Sequence, residues 1–368
     1  MKKKIAFVGN SALTMMNFRL GIMKSLTKWY DVVMITPQDC DMKPLEGTQI
    51  RFIPIDVDCK GTSPSQDIKL YRTLKKIYYN EQFDFVFHYT IKPVIYGSMA
   101  ASACSVKHIS VVTGLGYTFV KRNWLYRVSC LLHRLALRNA IQVWFLNQDD
   151  CDFFVHHHLV NPQKAHVIPG EGINTSVFNT EKPLPHNFTF LYFGRMLRYK
   201  GVELYIKAAE ILKSEYPSAR WLLLGPLDVL DPEGIQPEEM EKWVHYGIID
   251  YLGVTKDVKA YIENSSCVVL ASYFREGVPR SLMEAAAMKR PLITTNSVGC
   301  KDVVVDRVNG LLCQKGSLDD LVDKMRTMLN LSQNQLDAMG TAGRNLMLQK
   351  FDEKIIVKEY ISALNAYA

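Results

Sequence analysis

Residues 273–288 read YFREGVPRSLMEAAAM, in which two glutamates, Glu276 and Glu284, are separated by seven residues that include Gly277, Val278 and Pro279. Proline suits the first turn of a helix, so Glu276 falls in the preceding loop and Glu284 more than one turn into the helix. The first amides of a helix lack intrahelical acceptors and carry the positive end of its dipole, so the backbone from Gly277 to Arg280 forms an anion site between the two carboxylates. A diphosphate lying there would bring its two ends near the carboxylates, each placed to accept hydrogen bonds from hydroxyl groups. Taken alone, the pair reads equally well as a surface acid and a helix-face acid.

A second stretch, FTFLYFGRMLRYKGVELYIKAAEIL, runs as strand, glycine, loop and amphipathic helix, with Arg195 and Lys200 in the loop. Two cations at the carboxyl end of a strand suit a leaving diphosphate, whose developing charge they stabilise. Neither stretch is specific by itself; together they are.

The elements that must position these residues follow from the apolar pattern. Short runs rich in Val, Ile and Phe (KIAFVG, DVVMIT, QIRFIPI, FDFVFH, HISVVTG and IQVWFLN, then FTFLYFG, ARWLLLG, CVVLAS, PLITTN and GLLC) alternate with helical patterns at 17–28, 66–80, 123–139, 201–214 and 279–288. Runs without strict alternation belong to strands covered on both faces. The rhythm therefore predicts an α/β chain with two Rossmann-like, doubly wound parallel sheets facing a cleft. At 368 residues the chain exceeds one hydrophobic core. The Gly- and Pro-rich segment 170–187 marks the break, giving domains 1–172 and 173–350, followed by a last helix, 351–368.

Arg195 with Lys200-Gly201, and Glu276 with Glu284, resemble the signature of the retaining GT-B glycosyltransferases of family 4. NFR at 17–19, TGLGYTF at 113–119, PGEGIN at 169–174, YLG at 251–253 and NGLL at 309–312 fall where such enzymes have related patterns. Within that family the chain most resembles bacterial enzymes that extend a sugar on undecaprenyl diphosphate. The resemblance implies that Arg195 and Lys200 hold a donor diphosphate, that Glu284 binds ribose, and that Glu276, with Gly277, Val278 and Pro279, holds the donor sugar. Gly172, in PGEGIN, is placed on the donor side too. It implies contact between His88 and the donor sugar, where a strand-end histidine is otherwise structural. On the acceptor side it sets Gly114, Gly116, Asn17 and Arg19, although the first loop, GNSALTMMNFRL, lacks the double glycine of many relatives. The substrates implied are a UDP-sugar and a polyprenyl-diphosphate-linked glycan, with same-face attack and no cofactor, and the resemblance also implies that the last helix, 351–368, crosses back to the first domain.

Charge is unevenly distributed. Residues 85–148 contain no acidic residue but carry Lys92, Lys107, Lys121, Arg122, Arg127, Arg134 and Arg138, which equals the net charge of the whole chain, +7. In NWLYRVSCLLHRLALRN, Arg127, Arg134 and Arg138 form a stripe beside Trp124, Val128, Leu131, Leu132 and Leu135, the pattern of a basic amphipathic helix on an anionic membrane surface. A core helix with a solvated edge is the alternative. No nucleic-acid motif accompanies the basic segment. The opening MKKKIAFVGNS reads as a first strand, since Asn10 and Ser11 cut the apolar run short, and no apolar run is long enough to span a bilayer. Eight scattered cysteines without C-x-x-C favour free thiols. The expectation is a cytoplasmic protein, peripheral on the inner face of the cell membrane.

Metal signals are weak. Consecutive helical histidines at 156–158 point about 100° apart and cannot converge on one ion. The pairs Asp39/Asp41, Asp56/Asp58 and Asp150/Asp152 share D-x-D spacing, which holds a divalent ion in the other major glycosyltransferase fold; Arg195 and Lys200 make such an ion unnecessary. A GT-B-shaped nucleotide-sugar epimerase and a non-catalytic membrane- or nucleotide-sugar-binding module are the rival readings. A nicotinamide dehydrogenase is disfavoured because no G-x-G-x-x-G follows the first strand.

Overall fold

A computed structural model of the chain describes residues 2–58, 61, 63–115, 119, 124–255 and 257–367. The chain divides into two compact units, Met1–Gly172 with Glu353–Ala368, and Ile173–Asp352.

The first unit alternates β1 (Lys4–Val8), α1 (Ala12–Leu26), β2 (Asp31–Thr36), β3 (Ile50–Pro54), α2 (Pro64–Glu81), β4 (Phe85–Tyr89), α3 (Ser98–Ala103), β5 (Lys107–Val112), α4 (Trp124–Leu137), β6 (Gln142–Phe145), α5 (Gln148–His156) and β7 (Ala165–Val167). All neighbours pair in parallel in the order β3-β2-β1-β4-β5-β6-β7. Burial on both faces explains the continuous apolar runs of the inner strands: Ile5 to Val8, Val32 to Ile35 and Phe85 to Phe87 are all buried.

The second unit runs β8 (Thr189–Phe193), α6 (Val202–Glu215), β9 (Arg220–Leu224), α7 (Pro237–His245), β10 (Asp250–Tyr251), α8 (Val258–Glu263), β11 (Cys267–Leu270), α9 (Arg280–Ala287), β12 (Leu292–Thr295), β13 (Gly310–Cys313), α10 (Leu318–Leu329) and α11 (Gln333–Leu346). Its sheet order is β10-β9-β8-β11-β12-β13, again parallel.

The last helix, α12 (Glu353–Tyr367), belongs to the first unit. Tyr360 anchors it to the sheet face, its ring 4.9 Å from both Phe87 and Trp144 and its hydroxyl 2.7 Å from that of Tyr89. Truncating so large a buried aromatic to alanine costs about 3–5 kcal/mol. Gly172 sits beneath the start of α12 with φ +78°, where a Cβ would lie 3.0 Å from the Cα of Glu353 and 2.8 Å from the side chain of Ile356.

β7 and β10 have no counterpart among the apolar runs of the sequence. Each is an edge strand, of three and two residues respectively, and neither contains a fully buried residue.

Candidate active site

Strand order reverses between β8 and β11 in the second unit, and such a switch point opens a crevice beyond the carboxyl ends of the two strands. Arg195 and Lys200 occupy the loop after β8, and Glu276 occupies the loop after β11.

The two loops are latched to one another. The Tyr199 carbonyl accepts from the Tyr273 amide at 3.0 Å and from the Ser272 hydroxyl at 3.3 Å, while the Tyr199 and Phe274 rings pack 4.7 Å apart. Across this latch, Lys200 Nζ donates to Glu276 Oε1 at 2.8 Å, and Ser272 Oγ donates to the same oxygen at 3.0 Å. The paired side chains are 19% and 14% exposed, so the ion pair is held in a largely dry recess. Ser272 is itself fixed, since its carbonyl accepts from the hydroxyls of Thr295 and Ser297.

Two glycines are required by close approach. Gly201, at φ +82°, caps α6 where a Cβ would stand 2.2 Å from the Ala271 carbonyl oxygen. Gly299, also at φ +82°, backs the Glu276 loop, and a Cβ there would lie 2.3 Å from the Gly277 oxygen. The Glu276 amide donates to Val298 O at 3.3 Å, completing the support.

Arg195 is half exposed and pairs with Asp228 at 3.3 Å, while the buried Tyr192 hydroxyl donates to the Arg195 carbonyl at 2.8 Å. Its neighbour Arg198 is engaged by Glu203 and Glu239 at 3.1 and 2.7 Å, a strut between the loop and α7. Val278 and Pro279 are buried and lead into α9, with Pro279 at its N-cap. Glu284 is 8% exposed on α9 and accepts from Arg280 Nε at 2.6 Å. Burial raises its carboxyl pKa, and the Arg280 guanidinium opposes that rise. Arg280 in turn lies over the Phe178 ring, 5.9 Å from its centroid.

Ser272, Tyr199, Asp228 and Arg280 complete this cluster without a motif of their own. The one available signal was adjacency: Ser272 stands next but one after β11, and Tyr199 precedes Lys200.

Elsewhere the structure corrects two expectations, His88 and Arg19. His88 does not reach a ligand edge: its ring is fully buried, with Nε2 2.9 Å from the Tyr78 hydroxyl and Nδ1 3.4 Å from Ser98 Oγ. A Cβ on Gly97 would strike that ring at 2.4 Å, and burial, with His108 nearby, drives the imidazole well below its usual pKa. Arg19 is 3% exposed rather than open to an acceptor; it pairs with Glu171 and lies 4.0 Å from the centroid of Tyr89, tying α1 to the end of the first unit. Gly172 packs under the start of α12 within that unit, which accounts for its glycine. Asn17 is exposed on α1, and Gly114 stands at φ +133° beyond β5. Gly116, Lys121 and Arg122 lie outside the described residues.

In α4 the exposed side is apolar and basic. Trp124, Val128, Leu131 and Leu135 are 68%, 44%, 55% and 53% exposed, while Ser129 and His133 are buried. Arg127, Arg134 and Arg138 share the exposed side. Arg134 also donates to the carbonyls of His158 and His157 at 3.0 and 3.2 Å, closing the end of α5. No helix among the described residues is long and apolar enough to cross a membrane.

Two of the D-x-D pairs resolve into capping groups. Asp39 accepts from the Ala12 and Leu13 amides at the start of α1, and Asp150 pairs with the N-cap Asn147 of α5. Among the described residues no group of three or more His, Cys, Asp or Glu side chains is arranged to hold a metal ion.

Two doubly wound parallel sheets of this order make up the GT-B fold, and solved structures agree over the whole length. HepE of Anabaena, in complex with UDP and glucose, matches with a TM-score of 0.80 at 18% identity, covering 99% of this chain and 100% of that one. Sucrose-phosphate synthase of Thermosynechococcus elongatus matches with a TM-score of 0.81 at 17% identity, covering 99% of both. The family model "Glycosyl transferases group 1" matches residues 177–346 and "Glycosyl transferase 4-like" matches residues 4–147. The chain belongs to this glycosyltransferase group, family 4 of the GT-B enzymes. Among curated relatives, the N,N'-diacetylbacillosaminyl-diphospho-undecaprenol alpha-1,3-N-acetylgalactosaminyltransferase of Campylobacter jejuni is 26% identical over 377 residues, covering 97% of each chain. The UDP-Gal:alpha-D-GlcNAc-diphosphoundecaprenol alpha-1,3-galactosyltransferase of Escherichia coli is 21% identical, covering 88% of this chain and 86% of its own.

Proposed function

We propose that the protein moves a hexose or N-acetylhexosamine from a UDP-sugar to a polyprenyl-diphosphate-linked sugar, with retention of anomeric configuration and without a metal ion, in bacterial surface polysaccharide or glycan synthesis. The observation that carries the reading is the Lys200–Glu276 pair, locked by Ser272 at the β8/β11 switch point. It is supported by two relatives named for transfer to diphospho-undecaprenol sugars and by a structural neighbour that holds UDP and glucose.

The donor diphosphate lies on the amides of Gly277 and Val278 and on the amino end of α9, with Arg195 and Lys200 against its oxygens. In taking Lys200, the diphosphate releases Glu276 to accept from the donor sugar's hydroxyls, while Glu284 accepts from the ribose. The bond from the anomeric carbon to the β-phosphate oxygen breaks. A new bond forms from that carbon to the acceptor hydroxyl on the same face, and the hydroxyl proton passes to the departing phosphate oxygen. Arg195, Lys200 and the helix amides stabilise the charge that develops on UDP. The first unit takes the acceptor, and the exposed apolar and basic side of α4 rests on the anionic inner face of the cell membrane, where such an acceptor is anchored.

Nucleotide release from a panel of UDP- and GDP-sugars, with membrane extract as acceptor source and with or without EDTA, tests this. Release from one UDP-sugar that needs the extract and ignores EDTA is the expected result. Loss of release in EDTA would refute metal independence, a product of inverted anomeric configuration by NMR would refute retention, and no release with any donor would refute the transferase assignment.

A further inference from the structure

The third D-x-D pair is not a capping group. Asp56 and Asp58 follow β3 and line a groove of about 570 Å³ together with Gln38, Pro54, Ile55 and Gln66. The groove stands beyond the carboxyl ends of β2 and β3, the edge of a doubly wound sheet where ligands bind, and its volume is within the range of small-molecule sites. All of these residues belong to the first unit.

The lining specifies the kind of ligand. Two carboxylates accept hydrogen bonds and two carboxamides both donate and accept, which suits a polyol with many hydroxyls. Pro54, exposed at the groove, supplies an apolar patch for the C–H face of a sugar ring. Among the described residues a phosphate is disfavoured, because Asp56 and Asp58 would repel it and Lys69, paired with Asp56 at 3.4 Å with side chains 62% and 91% exposed, offsets this only weakly. Asp58 is oriented by the Gly61 amide, which donates to its Oδ1 at 2.8 Å.

Position adds a second constraint. The strand order of the first unit reverses between β1 and β4, so the groove at β2 and β3 is offset from that switch point by about two strand spacings, roughly 10 Å. A ligand reaching both places must be longer than one sugar.

We propose that this groove is a subsite for neutral sugar residues of the acceptor glycan beyond the one that is glycosylated, so that the enzyme selects acceptors by glycan length. The proposal rests on the acceptor class argued above. In transfer assays with acceptors bearing one or two sugars, Gln38→Ala, Asp56→Ala and Gln66→Ala are expected to lower the two-sugar over one-sugar ratio of kcat/KM about tenfold, with melting temperatures confirming that each variant folds. An unchanged ratio in all three would overturn the proposal. A second arm reads the groove without catalysis: saturation-transfer NMR of free α-linked hexose and N-acetylhexosamine disaccharides on the whole protein. Signal from the wild type that weakens in the variants is expected, even if no nucleotide-sugar is ever turned over. Signal of equal strength in wild type and variants, absence of signal from every disaccharide, or signal that requires a divalent cation and vanishes in EDTA would each overturn it.

Discussion

Replacing Lys200 with alanine separates the two tasks assigned to it. Lys200 pairs with Glu276 at 2.8 Å with both side chains more than four-fifths buried. Removing one partner from a fully buried pair costs about 3–5 kcal/mol. Here Ser272 still donates to Glu276 Oε1 and part of the carboxylate meets solvent, which lowers the cost to about 2 kcal/mol. For a unit of this size that is a fall of about 4–8 °C in melting temperature. The loss in catalysis is of a different kind: one cation fewer on the leaving diphosphate lowers kcat about 10²–10³-fold. Adding Glu276→Ala removes the stranded carboxylate, so the double variant is expected to melt above Lys200→Ala while remaining as inactive. Calorimetric melting and UDP release on the same samples distinguish the effects. A Lys200→Ala protein with kcat within threefold of wild type, or a double variant that regains activity, would refute the assignment and leave the pair as a purely structural contact.

Ser272→Ala leaves the ion pair but frees Glu276 to turn, so kcat is expected to fall about tenfold while UDP affinity by titration calorimetry changes little; Ser272→Thr restores the hydroxyl and most of the rate, and an equal loss in both variants would point to packing instead. On α4, Arg127→Ala is expected to weaken binding to anionic vesicles about fivefold, since one basic residue near such a surface contributes about 1 kcal/mol, and Leu131→Asp to weaken it further with a stability change within about 0.5 kcal/mol; vesicle co-sedimentation unaffected by either would reject the membrane face. His108 and His133 are buried, which lowers each pKa from 6.5 to about 4. Their neutral forms therefore stabilise the first unit fully above pH 6.5, and that stability is lost as pH falls from 6.5 towards 4, by up to about 3 kcal/mol for each. Melting temperature followed across that window is expected to fall less steeply in His133→Phe, and parallel curves would contradict the burial argument.

The inner strands were legible because a strand covered on both faces has to be apolar at nearly every position, as DVVMIT is over the whole of β2. β7 and β10 were not, because an edge strand of two or three half-buried residues leaves no such pattern. The helix positions followed to within a few residues, and in α4 Trp124, Val128, Leu131 and Leu135 are exposed, as a surface-lying amphipathic helix requires; that Ser129 and His133 are buried beside Ala136 and Leu137 did not follow from the spacing. His88 and Arg19 show the same limit from the other direction. Polar residues at a strand end and on a first helix suggested ligand contact, yet each finds its hydrogen-bonding or ionic partner inside the first unit, His88 at Tyr78 and Ser98 and Arg19 at Glu171.

By itself the sequence determined the two series of parallel strands and singled out Arg195, Lys200, Glu276 and Glu284 as candidates, because local apolar runs, a proline at a helix start and the spacing of charges are all written within a few residues of one another. Tertiary structure alone decided that Lys200 and Glu276 meet, and that Ser272 and Tyr199 hold them together. Those contacts join loops 76 positions apart in the chain, and they exist only because β8 and β11 are neighbours at the point where the sheet reverses its order.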